Sequence, residues 1–281
     1  MLSGVTAWVL DVDGCLMRTA SPGGAGGAAM PGAAELVRDL KAAGHELIVC
    51  TNASQRPPAR YAAHLRANGI DVADEEFVTA GSAAADYVAV HHPGARVLVV
   101  GADGVADPLC RHGVSLADPA DADLADVVVV GVADNYPAPL LNAAGLAVDA
   151  GAPLYTTVDV PWFHGGLGKS VAVSAMIANA IGWATGVVPQ VLGKPSPGLA
   201  ETLSRRLGAQ AVVAVVGDAL VEVQLARHMG ARAVLVLSGA TTAADLSVLP
   251  GGQHPDLVLD DVAALHASLP PSVASLRGVT Q

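Results

Sequence analysis

Short apolar runs, each stopped by a glycine or a polar group, recur along this chain and leave few folds open. Trp8-Val9-Leu10 ends in Asp11, His45–Cys50 in Thr51-Asn52, and Ala211–Gly217 in Asp218. Phe77–Ala80, Arg96–Gly101, Val127–Gly131, Pro153–Thr157, Ala233–Leu237 and Leu257–Leu259 read the same way. Continuous apolar runs of this length fit strands buried on both faces, as in a parallel sheet. Alanine-rich segments between them predict helices near residues 33–43, 57–68, 82–91, 109–112, 139–150 and 169–182. Pro31 suits the start of the first helix and Gly44 its end. The alternation implies an α/β fold with a doubly wound, mainly parallel sheet and helices on both faces. Residues 20–32, rich in Gly, Ala, Pro and Ser, read as a loop.

Composition narrows the partners. A chain of 281 residues can bury one large core or two modest ones. Aromatic residues make up only 3%, so packing falls to Ala, Val and Leu. A net charge of −11 lacks the basic footprint that nucleic-acid binding needs. A phosphorylated small molecule stays open, because a bound divalent cation inverts the local charge. Cys15, Cys50 and Cys110 show no CxxC spacing, which suggests neither a disulfide framework nor a zinc site. Cys15 and Cys50 fall beside strand ends and read as small buried fillers rather than nucleophiles. Asp11 and Asp13 interrupt any apolar leader, and no uninterrupted apolar stretch reaches about 20 residues. A cytoplasmic protein with no membrane partner is the expectation.

Ligands of open α/β sheets bind at the carboxyl ends of the strands. There the chain places Asp11 with Asp13, Thr51 with Asn52, Lys194, and Asp218. Each has a plain structural explanation. Asp13-Gly14 is a common turn, Thr51-Asn52 can cap a helix, and a lysine between Gly193 and Pro195 suits a surface turn. Together the residue types suit phosphoryl transfer through an aspartyl-phosphate. A carboxylate is the covalent nucleophile, oxygen ligands hold Mg²⁺, and a lysine and a hydroxyl hold the phosphate oxygens. The glycine-rich stretch Gly165–Gly168 lacks the spacing of a nucleotide-binding P-loop. No GxGxxG follows the first strand, which argues against a dinucleotide-binding protein.

The set resembles the haloacid dehalogenase superfamily of phosphatases, in its NagD-like branch. The resemblance lies in Asp11-Val12-Asp13-Gly14, Thr51-Asn52, Gly193-Lys194-Pro195-Ser196-Pro197 and Gly217-Asp218, with Leu235–Gly239 as a further likeness. It implies a core of residues 1–82 and 187–281 and an inserted α/β cap of 83–186. It implies Asp11 as nucleophile and metal ligand, and Asp13 as general acid/base with a metal-binding carbonyl. Thr51, Asn52 and Lys194 then bind phosphate, and Asp11, Asp13 and Asp218 bind Mg²⁺. The substrate becomes a small phosphorylated metabolite, with phosphomutase chemistry less well matched. Family members often dimerise through the cap, which leaves a homodimer as an open expectation.

One position departs from the family. The branch follows its GD with a second acid in a pattern like GDxxxTD, and here that position is Val223. Glu222 either substitutes for it or points away. The alternative function is therefore a catalytically weak or inactive ligand-binding relative. In the cap, Asp134, Asn135, Tyr136, Trp162, Phe163 and His164 are candidate substrate contacts, joined by Arg18 and Arg56 beside the first two motifs.

Overall fold

The computed structural model describes residues 2–19, 27–165, 168–250 and 253–269. Two parallel sheets organise it. The first has six strands, in the spatial order Leu257–Leu259, Arg232–Val236, Val213–Gly217, Ala7–Leu10, Glu46–Thr51 and Phe77–Thr79. The second has five, in the order Gln190–Val191, Leu154–Thr156, Val127–Val130, Arg96–Val100 and Ser115–Leu116.

Alternation along each strand divides the packing. Trp8 and Leu10 face helices Ala33–Ala42, Pro58–Ala67 and Val262–Ser268. Val9 faces helices Pro197–Leu207 and Leu220–Met229 on the other side. The second sheet repeats this on a smaller scale. Leu98, Val128 and Val130 pack against helices Ala138–Asp149 and Val173–Thr185. Val97, Val127 and Val129 pack on helices Ala80–His91 and Asp103–Arg111. Helix Ala80–His91 serves both bodies: Ala83 joins the core of the first sheet, and Ala84, Ala85 and Val88 join that of the second. Such double use explains why most of the helix is buried.

The two bodies meet at the loop after Thr51. The fully buried Ser54 hydroxyl accepts from Val132 N–H at 3.0 Å and hydrogen-bonds Thr157 Oγ1 at 3.0 Å. Gly104 N–H donates to the Gln55 carbonyl at 3.2 Å. A Cβ on Gly104 would overlap the Ser54 carbonyl, so only glycine permits this approach.

Several elements differ from the sequence expectation. Residues 27–29 are not loop but pair antiparallel with Met17–Thr19; residues 20–26 lie outside the described residues. Lys169–Val171 is not the start of a helix, because Gly168–Val171 pairs with Trp162–Gly165 in a hairpin and the helix begins at Val173. Gly166 and Leu167, in the glycine-rich stretch, lie outside the described residues. The segment near 109–112 belongs to a longer helix, Asp103–Arg111, which accommodates Pro108. Among the described residues no helix is long and apolar enough to cross a membrane.

Candidate active site

The first strand ends at Leu10, and Asp11 N–H still donates to the Val216 carbonyl at 2.9 Å. Sheet pairing thus fixes Asp11 at the carboxyl edge. The backbone then turns through Gly14, whose φ of +80° favours glycine. Asp11 is buried and Asp13 half-buried.

Lys194 is the centre of the site. Far from a surface turn, it is only 5% exposed. Its ammonium donates to Asp11 Oδ1, contacts Glu222 Oε1 at 2.8 Å and donates to the Cys50 carbonyl at 3.2 Å. Burial opposes its charge, but Asp11 and Glu222 outweigh that and raise its pKa well above the usual lysine value. Asn52 fixes the lysine from behind. Its Oδ1 accepts from Lys194 N–H at 2.7 Å and its Nδ2 donates to the Lys194 carbonyl at 3.2 Å. Thr51 Oγ1 accepts from Ala53 N–H at 3.2 Å.

Asp218 follows the strand Val213–Gly217 and lies wedged between two glycines. A Cβ on Gly14 or on Gly239 would fall on its carboxylate. Ala240 N–H donates to Asp218 Oδ2 at 2.6 Å, and Ser238 Oγ donates to the Gly14 carbonyl at 2.7 Å. The Leu235–Gly239 stretch thus acts as the backstop of Asp218.

Burial raises the Asp11 pKa to about 7 against the opposing pull of Lys194, with Glu222 and Asp13 adding to the rise. Burial raises Asp218 to about 6, and the Asp11 charge adds to it. Asp11 and Asp218 form a pair of buried hard-oxygen donors in which Lys194 is the cation, and its ammonium pairs with Asp11 rather than with Asp218. Among the described residues no three His, Cys, Asp or Glu side chains gather into a metal cage. Magnesium needs no such cage, since one or two carboxylates plus water and substrate phosphate suffice. The donor set fits that ion.

The family model for haloacid dehalogenase-like hydrolases matches residues 8–115, and a second HAD-hydrolase-like model matches 191–265. An acid sugar phosphatase from Staphylococcus saprophyticus is 30% identical over 194 residues, covering 68% of this chain and 70% of its own. The chain belongs to the haloacid dehalogenase-like hydrolases. Its fold matches NagD from E. coli K-12 with a TM-score of 0.79 at 25% identity, covering 92% of this chain and 97% of that one. It also matches a glycerol phosphate phosphatase from Mycobacterium tuberculosis, solved in complex with magnesium. That TM-score is 0.80 at 28% identity, over 93% of this chain and 76% of the other. This hydrolase is a phosphatase of the NagD-like kind.

In the phosphatase, Asp11, Lys194 and Asp218 converge at one sheet edge, with Asn52 anchored to Lys194. Asp134 accepts at 2.5 Å from Nε2 of Gln55, on the loop that follows Thr51 and Asn52. Arg18 and Arg56 are exposed, and Trp162 stands half-exposed on its hairpin. The side chains of Phe163 and His164 lie outside the described residues. Cys15 and Cys50 are buried, and burial raises both thiols, Cys50 to about 12, so neither supplies a thiolate. Spacing alone left the direction of Glu222 open, and the structure turns it inward onto Lys194. Gln55 and the Ala240 N–H had no signal in the sequence, because each acts through a loop placed by the fold.

Proposed function

We propose that this phosphatase hydrolyses a small phosphorylated metabolite through an aspartyl-phosphate on Asp11, with Mg²⁺ as cofactor. The observation that carries the reading is the buried Asp11 carboxylate paired with Lys194 at a sheet edge that Asp218 shares. The names of the relatives, acid sugar phosphatase and glycerol phosphate phosphatase, support a sugar or polyol phosphate as the substrate class.

The Asp11 and Asp218 carboxylates and the Asp13 carbonyl would hold the metal. When bound, Mg²⁺ offsets the repulsion between a carboxylate nucleophile and a phosphate dianion. Asp11 attacks phosphorus as Asp13 gives a proton to the leaving oxygen. Asp13, now a base, takes a proton from the water that cleaves the acyl phosphate. Lys194 holds Asp11 in place and balances charge, and the Thr51 hydroxyl, whose oxygen accepts from Ala53 N–H, keeps its own proton to donate to a phosphoryl oxygen. The Asn52 carboxamide is already engaged at both ends, so its part is to position Lys194.

The unit built on the second sheet serves as the cap that selects the leaving group. Strand Gln190–Val191 belongs to that sheet, so the unit reaches past residue 186. Its helix Val173–Thr185 carries no charged residue and leaves Trp183 87% exposed, which supports a homodimer through this unit.

Phosphate release from a panel of sugar, polyol and nucleoside phosphates, with and without Mg²⁺, tests the proposal. Turnover is expected to need the metal and to fall by at least about 10³-fold in Asp11→Asn. No release from any compound at high Mg²⁺ would favour the inactive, ligand-binding alternative.

A further inference from the structure

We propose that Glu222 is a positioning residue that holds Lys194 on Asp11 through both halves of the reaction. This rests on the phosphatase reading of the site. An ammonium has three N–H donors. In Lys194 they meet Asp11, Glu222 and the Cys50 carbonyl, all within the buried site. Glu222 is 3% exposed and equally committed. Its Oε1 faces Lys194, and its Oε2 accepts from Ala219 N–H at 3.1 Å at the start of helix Leu220–Met229. The helix N-terminus favours a carboxylate there.

The neighbouring residues make room for this arrangement. A Cβ on Gly217 would overlap the Glu222 side chain, so the glycine before Asp218 is what lets Glu222 lie inward. Successive helix residues project about 100° apart. Val223 accordingly faces away, 2% exposed, into the core with Leu225, Ala226 and Leu235. The acid that the family places at this next position cannot be recovered by Glu222 in the same direction. Glu222 supports the lysine instead of the metal.

The chemistry gives this contact a purpose. Attack forms the bond from the Asp11 carboxylate to phosphorus and breaks the bond to the leaving oxygen, which takes the Asp13 proton. Asp11 has then exchanged its carboxylate charge for that of the phosphoryl group it carries, and a lysine held by Asp11 alone would follow that group and lose its fixed anchor until hydrolysis restores the carboxylate. Glu222 keeps its charge across the step and leaves the ammonium where hydrolysis needs it.

Glu222→Gln keeps the volume and removes the charge. Its kcat is expected to fall about 10–100-fold, with KM within about threefold of wild type. Calorimetric affinity for Mg²⁺ alone should stay within about threefold, and E222D, which keeps the charge, should recover part of kcat. An unchanged kcat, or a loss restored by excess Mg²⁺ with weakened metal affinity, would overturn the proposal. A double-variant cycle in urea with Lys194→Met reads the contact without turnover. E222Q should shift the unfolding equilibrium several-fold more in the wild-type background than beside K194M, and equal shifts would overturn the proposal. If E222Q alone does not fold, E222Q/K194M should, since the stranded cation goes with its partner. Failure of both would assign Glu222 to the helix cap alone. Absence of wild-type turnover with the urea coupling intact would instead sink the phosphatase reading.

Discussion

Asn52 grips the main chain of Lys194 at both its N–H and its carbonyl, tying the end of strand Glu46–Thr51 to the loop before helix Pro197–Leu207. Asn52→Ala leaves both groups without that partner. An unmet buried polar group costs about 1–3 kcal/mol. Urea unfolding should show a loss of this size, and kcat should drop at least about tenfold as Lys194 loses register with Asp11. A variant as stable and as fast as wild type would show that the grip is incidental.

At Gly239 a single methyl group should matter. Gly239→Ala places its Cβ on the Asp218 carboxylate and must displace it. Calorimetry should find Mg²⁺ bound about 10–100-fold more weakly, the scale of losing an outer-shell support. Unchanged affinity would remove Asp218 from the metal site.

The carboxylates predict a pH signature. Asp11 and Asp218 are raised from 3.8 to about 7 and about 6. Between these values and 3.8 the folded, metal-free protein binds more protons than the unfolded chain. Their contribution to stability therefore falls as pH rises from about 4 to about 7 and is level beyond. Magnesium needs them ionised, so its binding should release between about one and two protons at pH 5.5 and almost none at pH 8. Titrations in buffers of different ionisation enthalpy measure this. Equal proton release at the two pH values would contradict the assignment.

The thiols offer a simple check on the site. Cys15 and Cys50 are buried and Cys110 is exposed. A thiol reagent should modify one cysteine in the native protein without loss of activity, and three in denaturant. Rapid inactivation by modification at Cys15 or Cys50 would reopen a role for them.

Much of this architecture was legible because burial on both faces leaves a plain trace in sequence. Runs such as Val213–Gly217 and Val127–Val130 are apolar throughout, and in the first sheet the polar residues Asp11, Thr51 and Asp218 follow their runs at the carboxyl edge. The hairpins Met17–Thr19 with Gly27–Ala29 and Trp162–Gly165 with Gly168–Val171 left no such trace. They are short, glycine-containing and without clear alternation, so their pairing depends on the partner strand. The two-residue strands Ser115–Leu116 and Gln190–Val191 were equally hidden, being defined by the sheet they join. At the site, spacing pointed to Asp11, Lys194 and Asp218, which the fold brings to one sheet edge, but could not orient Glu222. One step along a helix rotates a side chain from the lysine into the hydrophobic core, and only the start of the helix decides between them. The Asn52 clasp was hidden for another reason: its partner is main chain, which carries no residue signature.

Helix Ala80–His91 and the junction at Ser54 bear on how such a protein can diversify. A module joined to its host only by two strands of chain can be exchanged whole. Here the inserted unit shares a helix with the host's own core, and Ser54, three residues from Thr51, is bonded to Val132 and Thr157 of the insert. Transplanting the unit from a relative would disturb the loop after Thr51 unless Ser54, Gly104 and the face of that helix travelled with it. Point substitutions on the insert away from Val132 and Thr157 leave this junction intact, whereas recombining the insert as a block does not.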